Sequence, residues 1–261
     1  MSTCDLTTAR ADIAKNVAEY VMSMLAHPEV LRGQQVRGGG PVAEFEMLLT
    51  ERTGFPYCLA TSSATSALLV AGLALDLAGK GIAIESAAWE GSLGALEAAG
   101  ADIVELDSLL TAPLEGLCAV AATDRPGHRH DAAGLRARCD HLGIIYIEDT
   151  GWLPGVTAPE GALSVADLQV ISFGPGKAMS LGEGGALLCR DKSTYDRAVA
   201  LSQHPERTIS EGITSFARPP LNARIHPLAA LLGVLLLIPE AGIDLGNRRQ
   251  SHSTNRYSRT R

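Results

Sequence analysis

Residues 169–191 read QVISFGPGKAMSLGEGGALLCRD. QVISF is an apolar run with β-branched residues and suits a buried strand; GALLCR is a second such run. Between them lies a loop rich in Gly and Pro with Lys177 near its middle. The chain holds only four lysines (15, 80, 177 and 192) against eighteen arginines. A lysine on such a loop is ordinarily a solvated charge. An amine at a strand end can also form a Schiff base with an aldehyde or ketone, particularly where burial lowers its pKa.

The surrounding sequence alternates. Helical spacing of Ile13, Val17, Val21 and Met24 predicts a helix over 11–25, and RGQQVRGGGP (32–41) reads as a linker. A helix with Phe45, Leu48 and Leu49 on one face ends near Gly54. Strand runs follow at YCLATS, GIAIES, DIVELD, LCAVAATD and IIYIED. Helices are expected at 64–78, 89–99, 131–142 (capped by Asp131 and ended by Gly143) and 192–203. Continuously apolar strands alternating with helices imply an α/β fold, a mostly parallel sheet covered on both faces. Ligands in such sheets bind beyond the carboxyl ends of the strands.

Four such ends carry chemistry. TSSATSAL (61–68) opens a helix with a cluster of hydroxyls, which suits a phosphate held by helix-end amides; it also reads as simple N-capping by Ser63. IIYIEDT places Asp149 at the end of a buried strand, either capping the next turn or holding a protonated ring nitrogen or a metal. Glu148 points to the opposite face of that strand. Trp89 follows GIAIES, Ser172 stands near the end of QVISF, and Lys177 follows it. A phosphate cradle, a buried Asp and a Lys on successive strand ends are what pyridoxal phosphate needs.

The composition excludes several other classes. A net charge of −7 and a pI near 5.5 argue against a nucleic-acid binder. Five scattered cysteines without a CxxC pair fit buried thiols in a reducing cytosol. MSTCDLTTARAD is no signal peptide, and the longest apolar run, 228–238, is too short to span a bilayer, so a cytoplasmic protein is expected. His128 and His130 lack a third metal ligand nearby, and His204 and His226, each before Pro, read as loop residues. Glu183 reads as a turn carboxylate. No GxGxxG follows a strand, which weakens a dinucleotide reading.

Over about residues 30–257 the chain resembles the DegT/DnrJ/EryC1/StrS aminotransferases, sugar aminotransferases among the fold-type I pyridoxal-phosphate enzymes. The segments that carry the resemblance are GQQVRGGGPVAEFEMLLTERTGFPYCLATSSATSAL, ESAAWEGSLGALEAAGADIVELD, IIYIEDTGWLPGV, LNARIHPLAALLGVLLL and, most specifically, VISFGPGKAMSLGEGGALLCRD. The resemblance implies a three-layer large domain with a mostly parallel central sheet over residues 41–215. Residues 1–40 would precede it as helix and linker, and 216–261 would follow as interface helix and basic tail. The family's smaller C-terminal domain is expected to be largely absent.

It further implies that Lys177 forms the Schiff base with pyridoxal 5'-phosphate and that Asp149 partners the pyridinium nitrogen. Ser172, Ser63, Ala64 and Thr65 would hold the phosphate, and Trp89 would stack on the ring. Asn222 would reach the phosphate of the neighbouring subunit in a homodimer. Ala64 stands where the family has Gly, and Trp152 where it has Gln beside the cofactor. The implied reaction moves an amino group from glutamate or glutamine to a keto-sugar or related cyclic ketone. Two alternatives stay open from the sequence: other chemistry on the same cofactor (elimination, decarboxylation or condensation), or a non-catalytic subunit that completes the site of a longer homologue in a heteromer.

Overall fold

A computed structural model describes residues 3–123, 130–150, 153, 163–177, 179–214 and 221–238. Helices α1 (Thr3–Ala26), α2 (Pro28–Val36) and α3 (Pro41–Thr53) lead into β1 (Tyr57–Thr61) and α4 (Ala64–Ala74). Then come β2 (Gly81–Glu85), α5 (Glu90–Ala98), β3 (Asp102–Leu106), β4 (Ala119–Thr123), α6 (Ala132–Leu142), β5 (Ile145–Thr150) and β6 (Leu168–Ser172). The described chain closes with β7 (Gly185–Cys189), α7 (Lys192–Ser202), α8 (Pro205–Ser210) and α9 (Pro227–Leu237).

The seven strands form one sheet in the order β1-β7-β6-β5-β4-β2-β3. Strands β2 to β6 run parallel, and β7 lies antiparallel between β1 and β6. Helices cover both faces, which makes the expected three layers. One face packs Leu59, Val170 and Leu187 under α4, α5 and α7. The other packs Cys58, Ile171 and Leu188 under α3 and α9, with α6 beside them over Val120 and Tyr146. Among the described residues, no helix is long and apolar enough to cross a membrane.

Local signals set most boundaries. Ser63, Asp131 and Asp191 cap α4, α6 and α7 through their side chains, and α3 and α6 end on Gly54 and Gly143 in the left-handed region. Three expectations need correction. The stretch 32–41 is helical as far as Val36, with Pro28 at the first turn, so only its glycine end is a linker. The helix expected over 64–78 stops at Ala74, where Asp76 turns to positive φ. His204 and His226 are N-caps rather than loop residues: each ring accepts an N–H two residues on, at 3.2 Å, and each is followed by Pro at the first helical position.

Asp191 is the most heavily used cap. Its Oδ2 accepts from Thr194 N at 2.7 Å, Thr194 Oγ1 at 2.9 Å and Ser193 Oγ at 2.7 Å. Those donors, the Ser193 hydroxyl foremost, lower its pKa to about 2. A depressed carboxylate stabilises the fold above its unfolded pKa and loses that contribution as the pH falls through the folded one. Asp191→Ala should therefore cost about 1 kcal/mol at neutral pH. Urea titrations from about pH 4 down to about 2 should show wild type and variant converging.

A buried ion pair ties α8 to α3. Arg207 on α8 is 1% exposed, and its guanidinium donates to Glu46 Oε1 and Oε2 at 3.0 and 2.9 Å. Its Nε donates to Glu211 at 2.8 Å and its Nη2 to the Tyr195 hydroxyl at 3.2 Å. Glu46 Oε1 also accepts from the backbone N–H of Ala60 in β1, at 2.9 Å. The stem of Arg207 lies against Gly38, where a Cβ would come within 2.8 Å of Cδ.

Candidate active site

The strand ends bring the candidate residues together through a chain of direct contacts. Ser172 ends β6 and pairs across the sheet with Gly185, which starts β7; Gly185 pairs in turn with Thr61. A Cβ on Gly185 would meet Ser63 C at 2.3 Å and Ala64 N at 2.4 Å, so only glycine lets α4 begin this close to the sheet. That approach sets the N–H groups of Ala64 and Thr65, which have no partner inside the helix, beside the end of β6. Of the two sequence readings of the hydroxyl cluster, the hydrogen bonds show the capping one. Ser63 Oγ caps Ser66 N at 3.0 Å, and Ser66 Oγ is hydrogen-bonded to both Ser62 Oγ and Ser63 Oγ at 2.9 Å.

The other side of the site is built on the first turn of α5. Trp89 stands just outside that helix as its N-cap. A Cβ on Gly91 would meet the Trp89 Nε1 at 2.6 Å and the Thr65 hydroxyl at 3.3 Å, so the indole lies along the turn and near the start of α4. The ring is 72% exposed. Ser92, one residue further on, points the other way and is 3% exposed. Its hydroxyl donates to Asp149 Oδ2 at 2.5 Å, the short end of the range for an O–H on a carboxylate.

Asp149 lies within β5 rather than beyond it. Sheet register places it between Thr123 of β4 and Val170 of β6, on the face covered by α4 and α5. Glu148 faces the opposite side beside Gln169, as expected, and is buried there. Burial pushes the Asp149 carboxyl up from its ordinary range, while the Ser92 hydroxyl and the Lys177 charge pull it back. Lys177 itself sits on the loop after β6, where its N–H closes a turn onto Gly174 O at 3.2 Å. Its side chain is exposed, not buried as the Schiff-base reading favoured.

Asn222 is exposed on a short segment that lies beside the end of β1, where Arg224 bridges Thr61 and Ala223 O accepts from Ser62 N. Glu183 is exposed on the β6–β7 loop. Trp152 and His128 lie outside the described residues, and His130 is hydrogen-bonded to the Tyr146 hydroxyl. Among the described residues, no three His, Cys, Asp or Glu gather as a metal site.

Sequence reasoning passed over Ser92, Thr123 and Arg224. Ser92 and Thr123 each put a hydroxyl at the mouth of the sheet, a signal available in EGSLG and VAATD. The Thr123 hydroxyl is buried and has no hydrogen-bond partner among the described residues. An orphaned hydroxyl beside a held carboxylate, with unpaired helix amides across the gap, fits a ligand with polar ring substituents, a protonated ring nitrogen and an anionic end. The exposed indole supplies a flat apolar wall for such a ring.

The sequence model of the DegT/DnrJ/EryC1/StrS aminotransferase family matches residues 21–114 and 115–259. The UDP-4-amino-4,6-dideoxy-N-acetyl-beta-L-altrosamine transaminase of Campylobacter jejuni is 26% identical over 190 residues, 67% of this chain and 50% of that protein. The solved aminotransferase of Psychrobacter cryohalolentis superposes with a TM-score of 0.70 at 23% identity, covering 85% of this chain and 60% of that one. DesI, solved in the presence of its TDP-sugar product, gives a TM-score of 0.67 at 25% identity, covering 88% and 58%. The chain spans about half the length of the curated relatives it matches.

Proposed function

Since the chain belongs to the DegT/DnrJ/EryC1/StrS aminotransferase family, we propose that it binds pyridoxal 5'-phosphate and transfers an amino group from glutamate or glutamine to a keto-sugar or related cyclic ketone. The observation that carries the reading is Asp149: a half-buried carboxylate at the end of β5, held by Ser92 and facing the charge of Lys177. Burying a carboxylate is costly, and a fold keeps one where a cationic ligand repays it. A sugar acceptor is supported by the relatives, one named as a UDP-sugar transaminase and one solved with a TDP-sugar product.

When bound, the cofactor supplies an electron sink for a carbanion on the substrate. The protein's part is division of labour. The N–H groups of Ala64 and Thr65, with the hydroxyls of Ser63 and Ser172, take the phosphate at the start of α4. Asp149 keeps the ring nitrogen protonated. Trp89 covers one ring face. Lys177 Nζ would hold the cofactor and, when free, would be the amine placed to act as general base and acid at the substrate carbon. Trp89, Lys177 and Asn222 are all exposed, which supports a site closed by a second copy of the chain.

The full chain loaded with pyridoxal 5'-phosphate and given glutamate alone should release 2-oxoglutarate in a single stoichiometric burst. Adding a keto-sugar nucleotide should make the release continuous, the signature of a two-stroke exchange. Failure to form the keto acid from either glutamate or glutamine would sink amino transfer as the reaction.

A further inference from the structure

We infer that Ser92 is a positioning residue for Asp149: its hydroxyl fixes one carboxylate oxygen so that the other is presented to the cofactor's ring nitrogen. The inference rests on the cofactor reading above and adds a residue to it. The geometry is specific. Ser92 occupies the third position of α5 and its own N–H is tied to Trp89 O at 2.8 Å, so the helix start fixes where the hydroxyl points. The bond to Asp149 Oδ2 at 2.5 Å joins two residues 57 apart in sequence, on different elements. Without that bond, the Asp149 side chain can rotate about its Cβ–Cγ bond, and burial then favours the protonated form.

The same turn of α5 therefore does two jobs. Gly91 allows the Trp89 indole to lie along it on the outside, and Ser92 reaches inward to the carboxylate. The surroundings leave the serine little competition. The elements packed around Asp149 on this face, α4 (ATSALLVAGLA), β4 (AVAAT) and β6 (LQVIS), contain no acidic or basic residue. The acids of α5, Glu90 and Glu97, are exposed, and Glu148 lies on the other face of the sheet. Lys177 is the charged group that bears on Asp149, and it comes from a loop. Ser92 is the neutral donor that keeps Asp149 ionised whether or not that loop is engaged.

The test compares full-length wild type with Ser92→Ala, Ser92→Thr and Ser92→Val. Threonine and valine have nearly the same shape and differ in the hydroxyl. In cofactor-free protein, the carboxyl carbon of Asp149 is titrated by NMR, with Asp149→Asn assigning the signal. Its midpoint should move up in the Ala and Val variants and stay near wild type in Thr. With pyridoxal 5'-phosphate added, the dissociation constant should rise about tenfold or more in Ala and Val, as for a lost hydrogen bond to a charged group, and be restored in Thr. An unmoved Asp149 midpoint in Val would overturn the inference. So would a Val variant that binds the cofactor as wild type does. If wild type itself binds no pyridoxal 5'-phosphate, the proposed function falls with the cofactor half of the inference, and the cofactor-free titration still decides the Ser92–Asp149 contact.

Discussion

Lys177→Ala protein, treated with pyridoxal 5'-phosphate and borohydride, should carry no reduced adduct on the β6–β7 loop, whereas wild type should carry one at Lys177. Amino transfer should fall by about 10²–10⁴-fold from the lost proton transfer alone. The side chain is exposed and, among the described residues, the hydrogen bond of Lys177 is made by its backbone N–H, so the fold and the melting temperature should change little. Lys177→Arg separates chemistry from charge. Arginine keeps the positive charge beside Asp149, but its guanidinium stays protonated and cannot serve as a nucleophile or base. If Arg restores transfer, Lys177 is only a charge on a turn. Mass spectrometry of the trapped adduct distinguishes Lys177 from Lys15, Lys80 and Lys192, the other lysines of the chain.

The largest expected loss of stability is at Arg207. Removing one partner of a buried, bidentate ion pair leaves the other charge stranded and costs about 3–5 kcal/mol. A domain of this kind has only about 5–15 kcal/mol in hand, so Arg207→Ala should melt far below wild type or fail to accumulate folded. Arg207→Lys should recover little, since one ammonium cannot span both oxygens of Glu46 and still reach Glu211 and Tyr195. Replacing Arg207 and Glu46 together with Met should recover much of the loss, because no fully buried charge is left stranded; Glu211 is partly exposed and keeps the hydrogen bond from the Tyr195 hydroxyl. Recovery should stop short of wild type. Glu46 also accepts the Ala60 N–H, and that buried donor would be left unmade at a cost of about 1–3 kcal/mol. Denaturant titrations of the four proteins check the order.

The alternation of strands and helices was legible because apolar runs, caps and glycines are local signals; Asp131 and Gly143 bound α6 where they were expected to. The order of the strands was not. Nothing in GALLCR says that β7 runs against its neighbours, since a strand buried on both faces reads the same in either direction. Arg207 reads as a surface residue until Glu46, far away in sequence, is brought beside it. The site divides in the same way. Asp149 and Ser172 were singled out by their place at a strand end, and they lie there. Ser92 was passed over because a serine in the first turn of a helix looks like any N-terminal polar residue, and its meaning depends on a partner from another strand. Trp89 was found, but its exposure was not foreseen, since exposure depends on what covers the site.

The placement of β7 between β1 and β6 also dictates an order of assembly. Strand β1 is made early, yet its ladder partner β7 lies at residues 185–189. During synthesis at about 5–20 residues per second, β1 waits on the order of ten seconds with its hydrogen-bonding edge open. Strands β2 to β6 can zip together as they emerge, but the hydroxyl-bearing start of α4 reaches the sheet only when Gly185 arrives to receive it. The nascent chain therefore carries an exposed apolar strand until residue 189 has been made. Chaperone demand and misassembly should concentrate in that interval, and the candidate site is completed only once β7 has joined the sheet.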